Sequence, residues 1–394
     1  MSIEGKLRIE LLCRDNRIQR VSIFSSRPLQ LPLLFEGKAV EKVLQTLPML
    51  YSICATAQAN AAAIACRQAV GVSVDPNIQL AETLLVWFET AREHLWRILI
   101  DWPDYLSETG DTEQLPGLSQ LIPEAKRALF DNMAPAFSLQ PLLRPKAETL
   151  TGLIDRLARM LECSVFNMPA PDWHAMTSLE ALERWMEAKE TGAARYLQRV
   201  KDAGVAQLGQ SGIGALPPID AELMHARMQA DDSDGFIAAP EWQSGPRETS
   251  CLTRQAEHPL IKAMEPVYGK GVLTRLVSRL VELASIQDRM KALLLAITRE
   301  TEPTAAATPA LPKGIGLGVV EAARGRLVHR ASVRGNTIDR YQILAPTEWN
   351  FHPRGLVAEG LLRLACGDES TMQEHASLFI SAVDPCVGYS FEFV

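Results

Sequence analysis

The sequence predicts an α+β fold that is mainly α: a central helix bundle with small peripheral sheets from an N-terminal hairpin and from the C-terminal third. Three observations carry this expectation. Apolar residues recur at helical spacing through most of residues 38–300. Strand-like alternation is confined to the first 30 residues and to the stretch after 313. Between residues 55 and 65 there are seven alanines, side chains small enough to let backbones approach closely.

In chain order, residues 6–13 and 18–24 alternate around Arg14-Asp15-Asn16, which reads as strand, turn, strand. Val40, Val43, Leu44 and Leu47 then form one apolar stripe before Pro48. The alanine-rich helix is expected over 50–70, with Cys54 in its first turn, where backbone N–H groups and the helix dipole favour a thiolate. A longer helix over 77–99 carries Trp87, Phe88, His94 and Trp96, and further helices are expected at 123–133, 146–162, 177–188 and 192–203. Glycine and proline break the pattern at 208–218, and the polar stretch 229–257 predicts little regular structure. Residues 273–298 form one of the strongest helical stripes of the chain, and the Pro/Ala/Thr-rich stretch 301–312 reads as a surface connector. Strands follow at 316–320, 325–333 and 337–344, the last two joined at Gly335-Asn336, and then helices at 355–366 and 370–381. No internal repeat is evident, and residues 1–394 are expected to form one domain, with 205–257 irregular.

Bulk properties narrow the function. The formal charge is −7 and no basic cluster stands out, which argues against nucleic-acid binding. The most apolar stretch, 284–297, is too short and too charged to span a bilayer, so no membrane insertion is expected. The N-terminal residues lack an apolar signal region, and seven cysteines without a C-x-x-C pair fit a reducing cytoplasm better than a disulfide framework.

Five blocks carry a specific resemblance. They are Ile3-Glu4-Gly5-Lys6-Leu7-Arg8-Ile9-Glu10, Ile53-Cys54-Ala55-Thr56-Ala57, Glu321 to His329 (Glu-Ala-Ala-Arg-Gly-Arg-Leu-Val-His), Pro346-Thr347-Glu348-Trp349-Asn350 and Asp384-Pro385-Cys386. In this order they resemble the opening segment, first metal motif, Arg-Gly block, Pro-Ser/Thr block and second metal motif of the nickel–iron hydrogenase large subunit. In that family four cysteines bind nickel and two of them also bridge to iron. The resemblance places Cys54 and Cys386 at the first position of each pair. The bridging positions are Ala57 and Tyr389, and neither side chain replaces a bridging thiolate. The histidines that follow are replaced by Ala61 and Glu392, and the arginine before the first cysteine by Ser52. The chain stops two residues beyond Glu392, which leaves no extension of the kind that family cleaves.

What survives implies a function. The family's arginine and serine/threonine that donate to the cyanide ligands on iron match Arg324 and Thr347, next to Pro346. A guanidinium and a hydroxyl suit a cyanide nitrogen, a strong acceptor. Loss of the nickel ligands with retention of this pocket resembles the HupK/HoxV-type hydrogenase expression proteins. The resemblance therefore implies a non-catalytic scaffold that holds or relays an Fe(CN)2(CO) unit, without nickel, with Cys54 and Cys386 as metal ligands. Glu4 matches a proton-relaying glutamate, which in a scaffold without turnover is expected only to hold the N-terminal segment, and Asp384, a turn former before proline, is expected also to fix the Cys386 loop. Implied partners are the small chaperone that carries the iron unit and the immature large subunit. A metal-free platform for assembly proteins stays open beside this reading. His94 and His329 are expected to be structural, and the other five cysteines are assigned no chemistry.

Overall fold

The computed structural model describes residues 5–15, 17–51, 53–299, 311–365 and 368–394. Glu4, and nearly all of the expected connector 301–312, lie outside the described residues. Among the described residues helices dominate, and six strands form two three-stranded sheets. The fold class is the one the sequence predicts.

Strands β1 (Lys6–Arg14) and β2 (Arg17–Ser25) make the expected antiparallel hairpin. A third strand, β6 (Gly388–Phe393), runs parallel to β1 in the order β2-β1-β6. It was not expected. Its pairing sets Lys6 opposite Gly388 and Leu11 opposite Phe393, so the chain just after Cys386 is fixed to the N-terminal hairpin. The other sheet is the predicted meander of β3 (Ile315–Ala322), β4 (Gly325–Arg334) and β5 (Thr337–Leu344).

The helical core is built on α1 (Val40–Leu50), α2 (Ala55–Val70), α3 (Pro76–Trp96) and the 27-residue α4 (Val272–Thr298). Pro48 lies inside α1, which continues two residues beyond it. Helix α2 packs straight onto β3, and the two backbones nearly touch. A side-chain carbon added at Gly316 would lie 1.8 Å from the Ala65 carbonyl oxygen, and one at Gly318 would lie 1.9 Å from that of Ala61. Alanine facing glycine is what makes the approach possible. Polar ties complete the joint: Leu317 N donates to Gln68 Oε1 at 2.9 Å, and Gln58 Oε1 lies 2.8 Å from His329 Nε2. His329 is therefore a structural residue, its Nδ1 bonded to the Tyr341 hydroxyl at 2.8 Å.

One expectation is corrected. The stretch 229–257 contains Ser233–Ala238 and Cys251–Gln255, and the preceding helix is Ala221–Gln229; helices this short leave no periodic signature. A further helix, Pro259–Tyr268, starts at one proline and contains another. Helix α5 (Glu369–Val383) ends at Asp384, which adopts a left-handed backbone with φ 64°. Aspartate tolerates that region better than most residues. The turn it makes carries the chain from α5 into Cys386 and β6.

Candidate metal centre

Cys54 is the N-cap residue of α2, one step before the first turn in which the sequence placed it. The helix end does not favour its thiolate. The leading N–H groups of α2, those of Thr56 and Ala57, donate to the buried carboxylate of Glu89 at 2.7 and 2.8 Å. Cys54 itself makes no capping bond. Its thiol is hydrogen-bonded to Cys386, and that bond, together with burial and the neighbouring negative charges, raises its pKa well above the ordinary thiol value. The Cys386 thiol is shifted the opposite way, toward the thiolate. Cys54 acts as donor to it and, against the cost of burial, with help from Arg324, Arg27 and Thr347, lowers its pKa to about 6. Neither sulfur is in a disulfide.

Arg324 and Thr347 converge on this pair from different elements, Arg324 from the β3–β4 turn and Thr347 from the short helix Pro346–Asn350. Both are buried. Arg324 Nη1 donates to Glu93 Oε2 at 3.0 Å, and its Nε lies 3.2 Å from Asp384 Oδ1. Although burial disfavours its charge, Asp384, Cys386 and Glu93 keep the guanidinium firmly protonated. Thr347 Oγ1 makes no well-aligned hydrogen bond, though it is near enough to Cys386 to favour the thiolate. A buried hydroxyl without a good partner is costly, and it is the type of group a bound acceptor would satisfy. Pro346 is the first residue of the helix that presents Thr347 and is itself buried.

Asp384 anchors the arrangement. Arg97 Nε donates to its Oδ1 at 2.9 Å, and Arg279 Nη2 lies 3.5 Å from Oδ2. Burial opposes its ionisation, yet Arg324, Arg97 and Arg279 hold the carboxyl well below the usual carboxylate range. The structure thus gathers Cys54, Cys386, Arg324, Thr347 and Asp384 in one place.

Several members of the cluster were missed in the sequence. Glu89, Glu93 and Arg97 lie on or just beyond α3 at four-residue spacing, inside a mostly apolar helix. Charges repeated on a buried helical face were the available signal. Arg27, paired with Glu348 at 2.9 Å, left no comparable mark. The two replaced positions take other roles: Tyr389 lines a surface cleft, and Glu392 pairs with Arg8 at 2.8 Å on the N-terminal sheet.

Space at the site is divided. The cavity bounded by Cys54, Cys386, Arg27 and Gln58 has a volume of about 10 Å3, room for one water at most. On the other side Cys386 opens onto a cleft of about 630 Å3, lined also by Ile53, Arg97, Tyr196, Asp384 and Tyr389. That volume is typical of a small-molecule site.

This fold is that of the nickel–iron hydrogenase large subunit. The Ni-Fe-Se hydrogenase of Desulfovibrio vulgaris Hildenborough superposes with a TM-score of 0.66 over 98% of this chain and 97% of its own, at 17% identity. The enzyme from Desulfomicrobium baculatum matches equally well at 14% identity. The profile of the nickel-dependent hydrogenase family matches residues 230–387. Among full-length relatives, the hydrogenase expression/formation protein HoxV of Cupriavidus necator is 30% identical over 94% of this chain and 92% of its own length. HupV of Azotobacter chroococcum and HupK of Azotobacter vinelandii are 28% and 27% identical, each over 99% of both chains. The chain belongs to this family of hydrogenase expression/formation proteins. These relatives are named for forming hydrogenase rather than for hydrogenase activity. Among the described residues, no helix is long and apolar enough to cross a membrane.

Proposed function

We propose that the protein is a non-catalytic scaffold in nickel–iron hydrogenase maturation, which holds or relays an Fe(CN)2(CO) unit as cargo. The observation that carries this reading is the convergence of a paired thiol and thiolate with a charged guanidinium and an under-bonded hydroxyl. Cys386 meets iron already deprotonated, and Cys54 ligates only by giving up the proton that the pair shares. Arg324 and Thr347 donate to the cyanide nitrogens, and Pro346 sets the helix start that aims Thr347. Asp384 and Glu93 keep the guanidinium in place. The cleft beside Cys386 is the entry for an octahedral iron unit, because the cavity between the sulfurs is too small. Nickel is not expected, since Ala57 and Tyr389 stand at the bridging positions. The partners in this reading are the small chaperone that delivers the iron unit and the immature large subunit, in the cytoplasm.

One observation favours a second reading, a metal-free platform for assembly proteins. Cys54 Sγ already accepts from Gln58 Nε2 at 3.7 Å, and there is no more than a water's room beside the two sulfurs. Iron content of anaerobically purified protein separates the two. The scaffold reading expects iron that is lost in the C54S/C386S double variant. Iron unchanged in that variant removes the cysteines as ligands, and iron-free wild-type protein from maturation-competent cells supports the platform.

A further inference from the structure

We propose that the cleft beside Cys386 is a docking groove for a polypeptide segment of the protein that delivers the iron unit, a segment that joins aliphatic side chains to a lysine or arginine. The inference rests on the scaffold reading and adds to it how the delivering partner is recognised. One wall of the cleft is a single face of α5, where Glu374, Ser377, Leu378 and Ser381 recur at three- and four-residue spacing. Another is Arg97–Asp101, which coils as a π-helix, with the short helix Trp102–Tyr105 that follows it. Tyr105 packs edge-on against Tyr196 at 5.4 Å and adds aromatic surface. The cargo does not fill this space. An iron atom with three diatomic ligands is seven atoms, and at a water's share of about 30 Å3 apiece they take up roughly 200 Å3. The cleft of about 630 Å3 has room for several side chains besides.

Charge says what kind of side chain. Of the five charged residues that line the cleft, Asp101, Asp104, Glu374 and Asp384 are acidic and Arg97 alone is basic. Arg97 is already engaged by Asp101 and Asp384. Asp104 and Glu374 are exposed, and among the described residues neither is in an ion pair, although exposed Arg199 stands near Tyr105. Beside Cys386, Asp384 is buried, and its Oδ2, 3.5 Å from Arg279, accepts no aligned hydrogen bond. Ferrous iron and two cyanides cancel in charge, so ligation by two thiolates leaves a complex with two negative charges in a cleft that is already acidic. A lysine or arginine brought by the partner offsets that charge, and carboxylates beside phenol faces are a good seat for it. Such a cation favours loading and opposes release, so the segment belongs to the delivering protein and not to the receiving one.

The test uses the full-length, iron-free chain and two purified probes, the small chaperone and the immature large subunit, each measured by biolayer interferometry at about 0.05 and about 0.5 M salt. The chaperone's affinity is expected to fall about tenfold or more in D104K/E374K at low salt, and to differ little between the two proteins at high salt. With Tyr105 replaced by p-benzoylphenylalanine, the photo-cross-link should fall on a chaperone segment that contains lysine or arginine. Absence of chaperone binding, an affinity indifferent to the charge reversal, a cross-link to a segment without a basic residue, or a loss confined to the large subunit overturns the proposal. Should the reversal disturb the fold, D104N/E374Q, which only removes the charges, decides by the same criteria. Iron is absent throughout, so these results and the iron content of C54S/C386S stand or fail independently.

Discussion

Replacing Cys54 by alanine removes the interaction that contributes most to holding Cys386 at about 6. Arg324, Arg27 and Thr347 remain, but burial now opposes the thiolate with less resistance. The midpoint should climb to the ordinary thiol value of about 8.5 or beyond, a rise of roughly 2.5 units, worth on the order of 3 kcal/mol. At pH 7 the thiolate fraction of Cys386 then falls from about 90% to about 3%, roughly thirtyfold. The assay is the ultraviolet absorbance of thiolate against pH, with Cys386→Ser as the baseline for each protein. Cys54→Ser is the informative companion. Its hydroxyl still donates, so it should recover part of the depression that alanine loses. A midpoint that does not move in Cys54→Ala, or that is as high in wild type as in a free thiol, would refute the shared-proton account.

Other consequences follow from the same geometry. His329 is buried and neutral, its pKa pushed down to about 3 by burial. The unfolded chain therefore takes up that proton first, near 6.5, and stability should fall as pH drops from there toward 3, by about 2 kcal/mol at pH 5. In denaturant titrations His329→Gln should flatten that slope. Gly318→Ala forces a carbon to within 1.9 Å of the Ala61 carbonyl, where both sides are backbone, and should cost about 3 kcal/mol or more. Gly117→Ala, in open space on the helix Leu115–Leu129, should instead be neutral or stabilising by up to about 1 kcal/mol. Arg324→Leu leaves the Glu93 carboxylate held by Arg92 alone and takes one of three arginines from Asp384, so a loss of about 1–3 kcal/mol is expected in thermal or chemical unfolding. Arg324→Lys should retain most of that stability, because the charge is kept, while raising the Cys386 midpoint, because the fork is not.

The parts of this fold that were legible in the sequence are those whose burial imposes a period. The stripe in α4 and the two C-terminal hairpin strands could be placed to within a residue or two because one face of each meets the core. Strand β6 carried a period of its own, Tyr389, Phe391 and Phe393 alternating with Ser390 and Glu392. The same stretch also resembles the end of a metal motif, and that resemblance masks the period. The pairing of Cys54 with Cys386 was legible only through the resemblance, since 331 residues separate them and no local pattern joins them. Which sulfur is ionised was not legible. It depends on Glu89 occupying the N-terminal donors of α2 and on Arg27 and Arg324 arriving from distant segments.

The central claim is that this scaffold carries iron with diatomic ligands. It is tested most directly by infrared spectroscopy in the CO and CN stretching region, on protein purified anaerobically from cells with the full maturation machinery, with iron and nickel quantified in the same sample. The account predicts one CO band and two CN bands, iron present and nickel absent, all lost in C54S/C386S. A spectrum without such bands from folded, iron-free protein would contradict it.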